Sequence, residues 1–375
     1  MSSTAAARDP REDVPKLGLR NYWYPAAPSG KIRKKPTVIK LLGDDICFFR
    51  DGGKAYALHN DCPHRGMPLS EGWRYYPGTI TCMYHGWTFD LTGKRVAALN
   101  EGPESQIPGK VRVRSYPVEE RNGIVYVYMG TGAPPRIEDC VPEDLLDERN
   151  TLKLQTEVWN ANWMPSLENL QDSHDTFVHR NSLFYFFRKI PAWVKVGASE
   201  MPDGKGVEVR FDKVGPPQAK YPEVGNWPKR NWWRRITMNS ARPGEYPSTE
   251  FLLPSVVRVG FSGLRFIRFM VPVDENHVRA FLFAARYAPG FQKVTYALYY
   301  YLWTSWSLVH YMIGQDKVVF EKQNCNAPEH LTGTDIGLVK WRRLVAARAR
   351  LERDGTAPGA QPRAKTQGKT TLAEV

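Results

Sequence analysis

Two short clips constrain this 375-residue chain more than anything else in it. Cys62-Pro63-His64 is followed, after seventeen residues, by Cys82-Met83-Tyr84-His85. Each clip offers one thiol and one imidazole, and four such side chains define a fold only if they meet around a metal. Zinc accepts a Cys2His2 set, but zinc-finger spacing usually places both Cys in one clip and both His in the other. Here each clip is mixed. That pattern suits a binuclear iron–sulfur centre with two thiolates on one iron and two imidazoles on the other. Neutral imidazoles leave their iron less negative, so such a centre accepts a single electron more readily than an all-thiolate one.

The flanks extend the pattern. Gly66 and Pro68 turn the first loop, Gly86 turns the second, and Trp87 and Phe89 supply apolar cover. The segments CPHRGMPLSEG and CMYHGWTFD closely resemble the Rieske [2Fe–2S] domains of ring-hydroxylating oxygenases. Respiratory Rieske proteins carry an extra Cys in each loop to form a disulfide, and this chain has none there. Of its five Cys, Cys47, Cys140 and Cys325 have no paired spacing, which points to a reducing compartment, the cytoplasm.

The net charge is +13. The basic residues are dispersed, with short runs at Lys31 to Lys35 and at Arg342-Arg343, and no nucleic-acid-binding motif joins them. A solvated surface, or a docking face for an acidic redox partner, accounts for them better than nucleic acid. The N-terminus lacks an apolar segment of signal-peptide length. From Val294 to Ile313 there is no Asp, Glu, Lys or Arg, long enough for a bilayer span. Tyr, Thr, Ser and His run through its middle, however, so a buried helix or one at an apolar entrance is the better reading.

Composition changes along the chain. Residues 1–17 read as a flexible tail. Residues 18–135 alternate in short strands: TVIKLL and DDICFFR flank a Gly-Asp turn, and Asp51-Gly52-Gly53 is a hairpin signal before KAYALH. Pro134-Pro135 and the acidic run after it mark a linker. Residues 150–352 form a second domain. It begins with a helical segment from about Asn160 to His179. Strand-like runs TEFLLPSVVRVGF, LRFIRFMVPV and HVRAFLFAARY follow, with helices from about 291 onward. Residues 353–375 read as a disordered tail. The expected class is α+β, a small β domain followed by an antiparallel sheet capped by helices.

The second domain holds a further candidate site. His174 and His179, with a carboxylate, would make the 2-His-1-carboxylate set that holds Fe(II) and leaves positions open. Five residues apart on a straight helix they point about 140° from each other, so the helix must end or bulge between them. Asp175 lies four residues before His179 and is a candidate to orient it, or else a surface residue.

Beside the first motif, Asn169, Asp172, His174 and His179 look like the second-domain motif of the Rieske non-haem iron oxygenases. The resemblance spans roughly residues 20–345. It implies that the third iron ligand is Asp316, in QDKVVFE, and that Asp172 bridges the cluster of one subunit to the iron of the next. One departure stands out. Relatives place two residues between that Asp and the first His, and this chain has only Ser173, which rotates the carboxylate by about 100° on a regular helix. Gln171 is the alternative occupant of the bridging slot.

The resemblance further implies a homotrimer and a terminal oxygenase. Its electrons would come from NAD(P)H through a flavin reductase and/or an acidic ferredoxin. They would pass through a [2Fe–2S] cluster held by Cys62, His64, Cys82 and His85 to a mononuclear Fe(II) held by His174, His179 and Asp316. O2 would oxidise an apolar, aromatic substrate by hydroxylation, dihydroxylation or demethylation. Phe177, Val178, Leu183, Phe184, Phe186 and Phe187 would line a dry pocket or simply fill the core. A Rieske electron carrier with a non-catalytic second domain is the alternative, needing only the first four ligands.

Overall fold

Gly52 and Gly53 take φ of +51° and +84°, a backbone region that costs a residue with a Cβ steric energy. They fold Asp44–Asp51 back onto Lys54–His59, with Asp51 opposite Lys54. The preceding turn is Leu42-Gly43, one residue earlier than the Gly-Asp turn expected from sequence, because Leu41 pairs with Asp44. The structure, a computed structural model, describes residues 10–105, 110–171, 178–179, 193–215, 248–261 and 264–355.

Three small antiparallel sheets make up the N-terminal half. One runs Thr37–Leu41, Asp44–Asp51, Lys54–His59 and Ser115–Tyr116, and a second pairs Trp23–Pro28 with Ile124–Tyr128 and Val118–Arg121. The third comprises Thr79–Thr81, Trp87–Asp90 and Arg95–Ala98. Cys47, Phe49, Leu58, Cys62, Leu69, Ile80, Cys82, Trp87 and Phe89 form an apolar cluster of their own between them.

The C-terminal half is built on a seven-stranded antiparallel sheet. Its spatial order is Asn150–Trp159, Val278–Tyr287, Leu264–Pro272, Val256–Phe261, Thr249–Leu252, Gly206–Gly215 and Trp193–Glu200. The last two strands of the chain lie inside the sheet, between Asn150–Trp159 and Val256–Phe261, and Leu264–Pro272 and Val278–Tyr287 are buried on both faces for most of their length. That explains their near-continuous apolar runs. Helices pack against the sheet, so the class is α+β as expected. One large core, from Trp23 and Tyr126 through Trp159 and Trp163 to Phe269 and Trp341, continues across both halves.

Two expectations need correction. Of the span read as one helix from Asn160 to His179, the described part before residue 172 is helical at Trp163–Glu168, capped by Asn162, whose side chain accepts from the Met164 N–H, and residues 172–177 lie outside the described residues. The chain then turns at Asn169 and Leu170. Residues 10–17 are also not a free tail. A 3-10 turn spans Pro10–Asp13 and Val14 is buried. The Trp163 indole donates to Pro15 O at 3.1 Å and the Asn162 amide to Lys16 O at 2.9 Å. The backbone N–H groups of Arg20 and Asn21 both donate to Glu352, at 3.0 and 2.7 Å, which pins this arm to the final helix Ile336–Arg353. These partners lie 146 to 332 residues away in sequence, so no local pattern announces them.

The uncharged stretch is one continuous helix with its neighbours: α-helical Gln292–Tyr299, π-helical Tyr300–Ile313, then α-helical Gly314–Lys322. It is half-buried. Tyr296, Tyr300, Thr304 and Ser307 face inward, while Leu298, Leu302 and Trp306 are exposed. Among the described residues no helix is long and apolar enough to cross a membrane.

A buried ion network ties the helix before the second site to the final helix. Arg342 donates twice to Glu168, both at 2.7 Å, and to Glu329 at 2.6 Å. Burial raises the Glu168 carboxyl above its usual range, opposed by the hydrogen bonds from Arg342. Arg342→Met would leave two carboxylates around an apolar stem. The expected loss of stability is about 3–5 kcal/mol, the usual cost of stripping one partner from a buried pair. Chemical denaturation followed by far-UV circular dichroism checks it, and a shift within error of zero would contradict the pairing.

Candidate metal centres

The two clips fold into matching loops. The Cys62 N–H donates to Met67 O at 2.9 Å and the Gly66 N–H to Cys62 O at 2.8 Å. In the second loop the Cys82 N–H donates to Trp87 O at 2.8 Å and the Gly86 N–H to Cys82 O at 3.1 Å. Gly66 and Gly86 sit at φ of +71° and +67°, closing both turns in the left-handed region. A Cβ on Gly86 would also stand 2.9 Å from Leu99 Cβ. Equal turns from unequal spacers bring the two Cys and two His together, beside Arg65, Met67, Tyr84 and Trp87.

There the thiols are buried, His64 is exposed and His85 half-buried. The imidazole centres are 4.5 Å apart. Arg65 of the first loop lies over the Tyr84 ring of the second, 5.7 Å from its centre. The Cys62 thiol is pushed up to about 11 by burial and by the neighbouring Cys82, against the pull of the His64 and Arg65 backbone N–H groups. A thiolate there needs a bound cation. Burial, then the charges of His64 and Arg65, hold His85 below the usual imidazole range, in the neutral form that binds metals. The buried Trp87 Nε1–H has no acceptor within the chain. These residues fit a [2Fe–2S] cluster with sulfur inward and imidazole outward.

At the second site His179 and Asp316 are both fully buried, with Nε2 and Oδ1 3.0 Å apart. Gln315 Oε1 lies 3.0 Å from His179 Nδ1. With the Gln315 carbonyl oxygen facing Nδ1, a proton held on Nδ1 would leave Nε2 facing the carboxylate. A cation between them, a proton or a metal ion, would satisfy both atoms. Arg268, itself buried, reaches Asp316 Oδ2 at 3.2 Å and sets a positive charge beside that carboxyl. The residues present fit a mononuclear metal.

Asp316 is therefore neither an exposed nor a helix-capping side chain. Glu321, the other acid of that helix, is exposed and accepts the Asn160 N–H at 3.1 Å. His174, Asp172 and Asp175 lie outside the described residues, as do Phe177, Leu183, Phe184, Phe186 and Phe187, while Val178 is half-buried. The acceptor at His179 Nδ1 is Gln315. Gln171 is fully buried, and among the described residues its amide has no hydrogen-bond partner. Among the described residues no three His, Cys, Asp or Glu surround one ion position. Sequence reasoning missed Gln315 as a partner of His179, and Arg268. The only signal for the first was its adjacency to Asp316, and for the second a lone Arg inside an apolar strand run.

Both halves of the chain match known protein families. Residues 22–117 match the Rieske [2Fe-2S] domain family and residues 128–351 the homotrimeric ring hydroxylase family. Over 171 residues the chain is 40% identical to the terminal oxygenase component of carbazole 1,9a-dioxygenase from a Sphingomonas sp. That match spans 45% of either protein, so the chain covers somewhat under half the length of this curated relative. Identity to the 4beta-methylsterol monooxygenase of Methylococcus capsulatus is 25%, over 94% of this chain and 98% of the relative. Among solved structures, the terminal oxygenase of carbazole 1,9a-dioxygenase from Nocardioides aromaticivorans IC177 superposes with a TM-score of 0.75. It covers 91% of this chain and 97% of that one at 26% identity.

Proposed function

The chain belongs to the homotrimeric ring hydroxylase family, and from that premise we propose that it is the terminal oxygenase of a multicomponent system acting on an apolar, aromatic substrate. In this reading Cys62, His64, Cys82 and His85 hold a [2Fe–2S] cluster, and His174, His179 and Asp316 hold a mononuclear Fe(II). When bound, the cluster delivers single electrons and the iron activates O2.

The chain's own residues divide the work. Buried Cys62 and Cys82 fix the inner side of the cluster, while His64 and His85 place its outer edge where a donor protein can approach. The basic surface speeds that encounter with an acidic ferredoxin or a flavin reductase fed by NAD(P)H. Gln315 keeps the proton on Nδ1 of His179 and directs Nε2 at the metal position. Arg268 pairs with the other oxygen of Asp316. Asp172 is assigned the bridge between neighbouring subunits of a trimer that closes head to tail. Cys47, Cys140 and Cys325, the cysteines outside the cluster loops, form no disulfide, which fits a reducing cytoplasm.

The buried His179–Asp316 pair carries this reading, since an electron carrier with an inert second domain has no use for it. Metal analysis tests the difference: about three Fe per chain for the oxygenase and about two for the carrier, from the ligand sets. Product analysis with a reconstituted reductase, NAD(P)H and a panel of aromatic compounds then tests the activity. Two Fe per chain and no oxidised product would sink the proposal.

A further inference from the structure

Arg95 is fully buried, yet none of its three guanidinium nitrogens has a hydrogen-bond acceptor. Among the described residues no carboxylate pairs with it. Desolvating a charge without a partner is among the costliest arrangements in a protein. The only compensation in view is the Trp87 indole, whose ring centre lies 3.9 Å from the guanidinium carbon. A face of an electron-rich ring does attract a cation.

Strand geometry shows how the contact is made. Trp87 pairs with Ala98 and Thr88 with Ala97, but Phe89 pairs with Arg95, so Val96 is an extra residue. A bulge of this kind re-aims the side chains beyond it. Here it turns Arg95 onto the same face as Phe89, and Trp87 lies two residues before Phe89 on that face. The His64 ring stacks on the same indole, 4.4 Å between centres and 9° from parallel. The two contacts together hold an elementary charge within about 8 Å of a cluster imidazole, a range over which charges in a protein interior interact appreciably.

We propose that Arg95 is a built-in counter-charge that, through Trp87, raises the reduction potential of the centre held by His64. The proposal rests on the Rieske reading of the two loops. Reduction adds one negative charge on the imidazole side, and a fixed buried cation stabilises that state. Being buried, it is little screened by salt, unlike the surface basic residues. Arg95 touches no ligand directly. Its role is to set the electrostatic surroundings of His64 and the orientation of the indole.

The test is a redox titration of the purified holoprotein, followed by visible absorption and by the electron paramagnetic resonance of the reduced cluster. Arg95→Met keeps the stem and removes the charge, and should lower the equilibrium constant for reduction about tenfold, or about 59 mV for one electron. Arg95→Lys keeps the charge and should stay close to wild type. An unchanged potential in Arg95→Met with full cluster content overturns the proposal. Should Arg95→Met fail to fold, Arg95→Lys decides: a potential held at the wild-type value supports the charge, whereas a tenfold fall with the charge retained overturns it. Absence of any Rieske spectrum in the wild-type protein would instead refute the reading on which the proposal rests.

Discussion

Cys62→Ala is expected to abolish the visible colour of the protein and its donor-driven turnover in one step. Cys62 and Cys82 are the two buried sulfurs at the head of matched loops, and a [2Fe–2S] centre held by two thiolates does not survive on one. Iron should fall from about three to about one per chain, because the cluster takes both its irons with it. Cys47→Ala is the control. Cys47 belongs to the same apolar cluster, and burial pushes its thiol up to about 12, so it is the inert kind of cysteine. Its variant should stay coloured. A Cys62→Ala protein that keeps its absorption and its reduction behaviour would show that the clips do not hold the cluster.

Asp316→Asn should do the complementary thing: remove the mononuclear iron and turnover while sparing the cluster spectrum. The amide preserves volume beside Arg268, which matters because a smaller residue would strand that buried cation. Iron should fall from about three to about two per chain. Turnover should fall by more than the roughly 10–100-fold typical of losing an outer-shell partner. Gln315→Leu supplies that smaller effect for comparison, since it frees the ring of His179 to change tautomer without removing a ligand. Equal iron content and equal turnover in Asp316→Asn would rule out Asp316 as a ligand.

The parts of this chain that could be read in advance are those whose partners lie close in sequence. The cluster loops bring ligands together across about two dozen residues, and their glycines mark turns with a steric cause. The Gly52-Gly53 hairpin and the central strands from Thr249 to Tyr287 are legible for the same reason, through turn chemistry and long apolar runs. Other features depend on distant contacts. The strand Gly206–Gly215 alternates apolar Val207, Val209 and Phe211 with polar Glu208, Arg210 and Asp212, a signal that sequence reasoning missed; its pairing with Trp193–Glu200 and Thr249–Leu252 is set by the fold. The helix at Trp163–Glu168 stops short because the chain turns where the periodicity continues. Gln315 and Arg268 carry no motif at all: they matter only because the fold sets a helix at 314–322 and a strand at 264–272 against His179.

The arm clasped by Glu352 has a consequence for the order of events during synthesis. Its hydrogen-bond partner is encoded 332 residues after Arg20. At typical elongation rates of about 5–20 residues per second, the arm waits roughly 15–70 s on the ribosome before it can dock. The three small sheets around the cluster loops, by contrast, are complete once Tyr128 has emerged. The nascent chain therefore has a window in which the iron–sulfur pocket is formed and open to its loading machinery, while the last helix, and with it the final tightening of the catalytic half, does not yet exist.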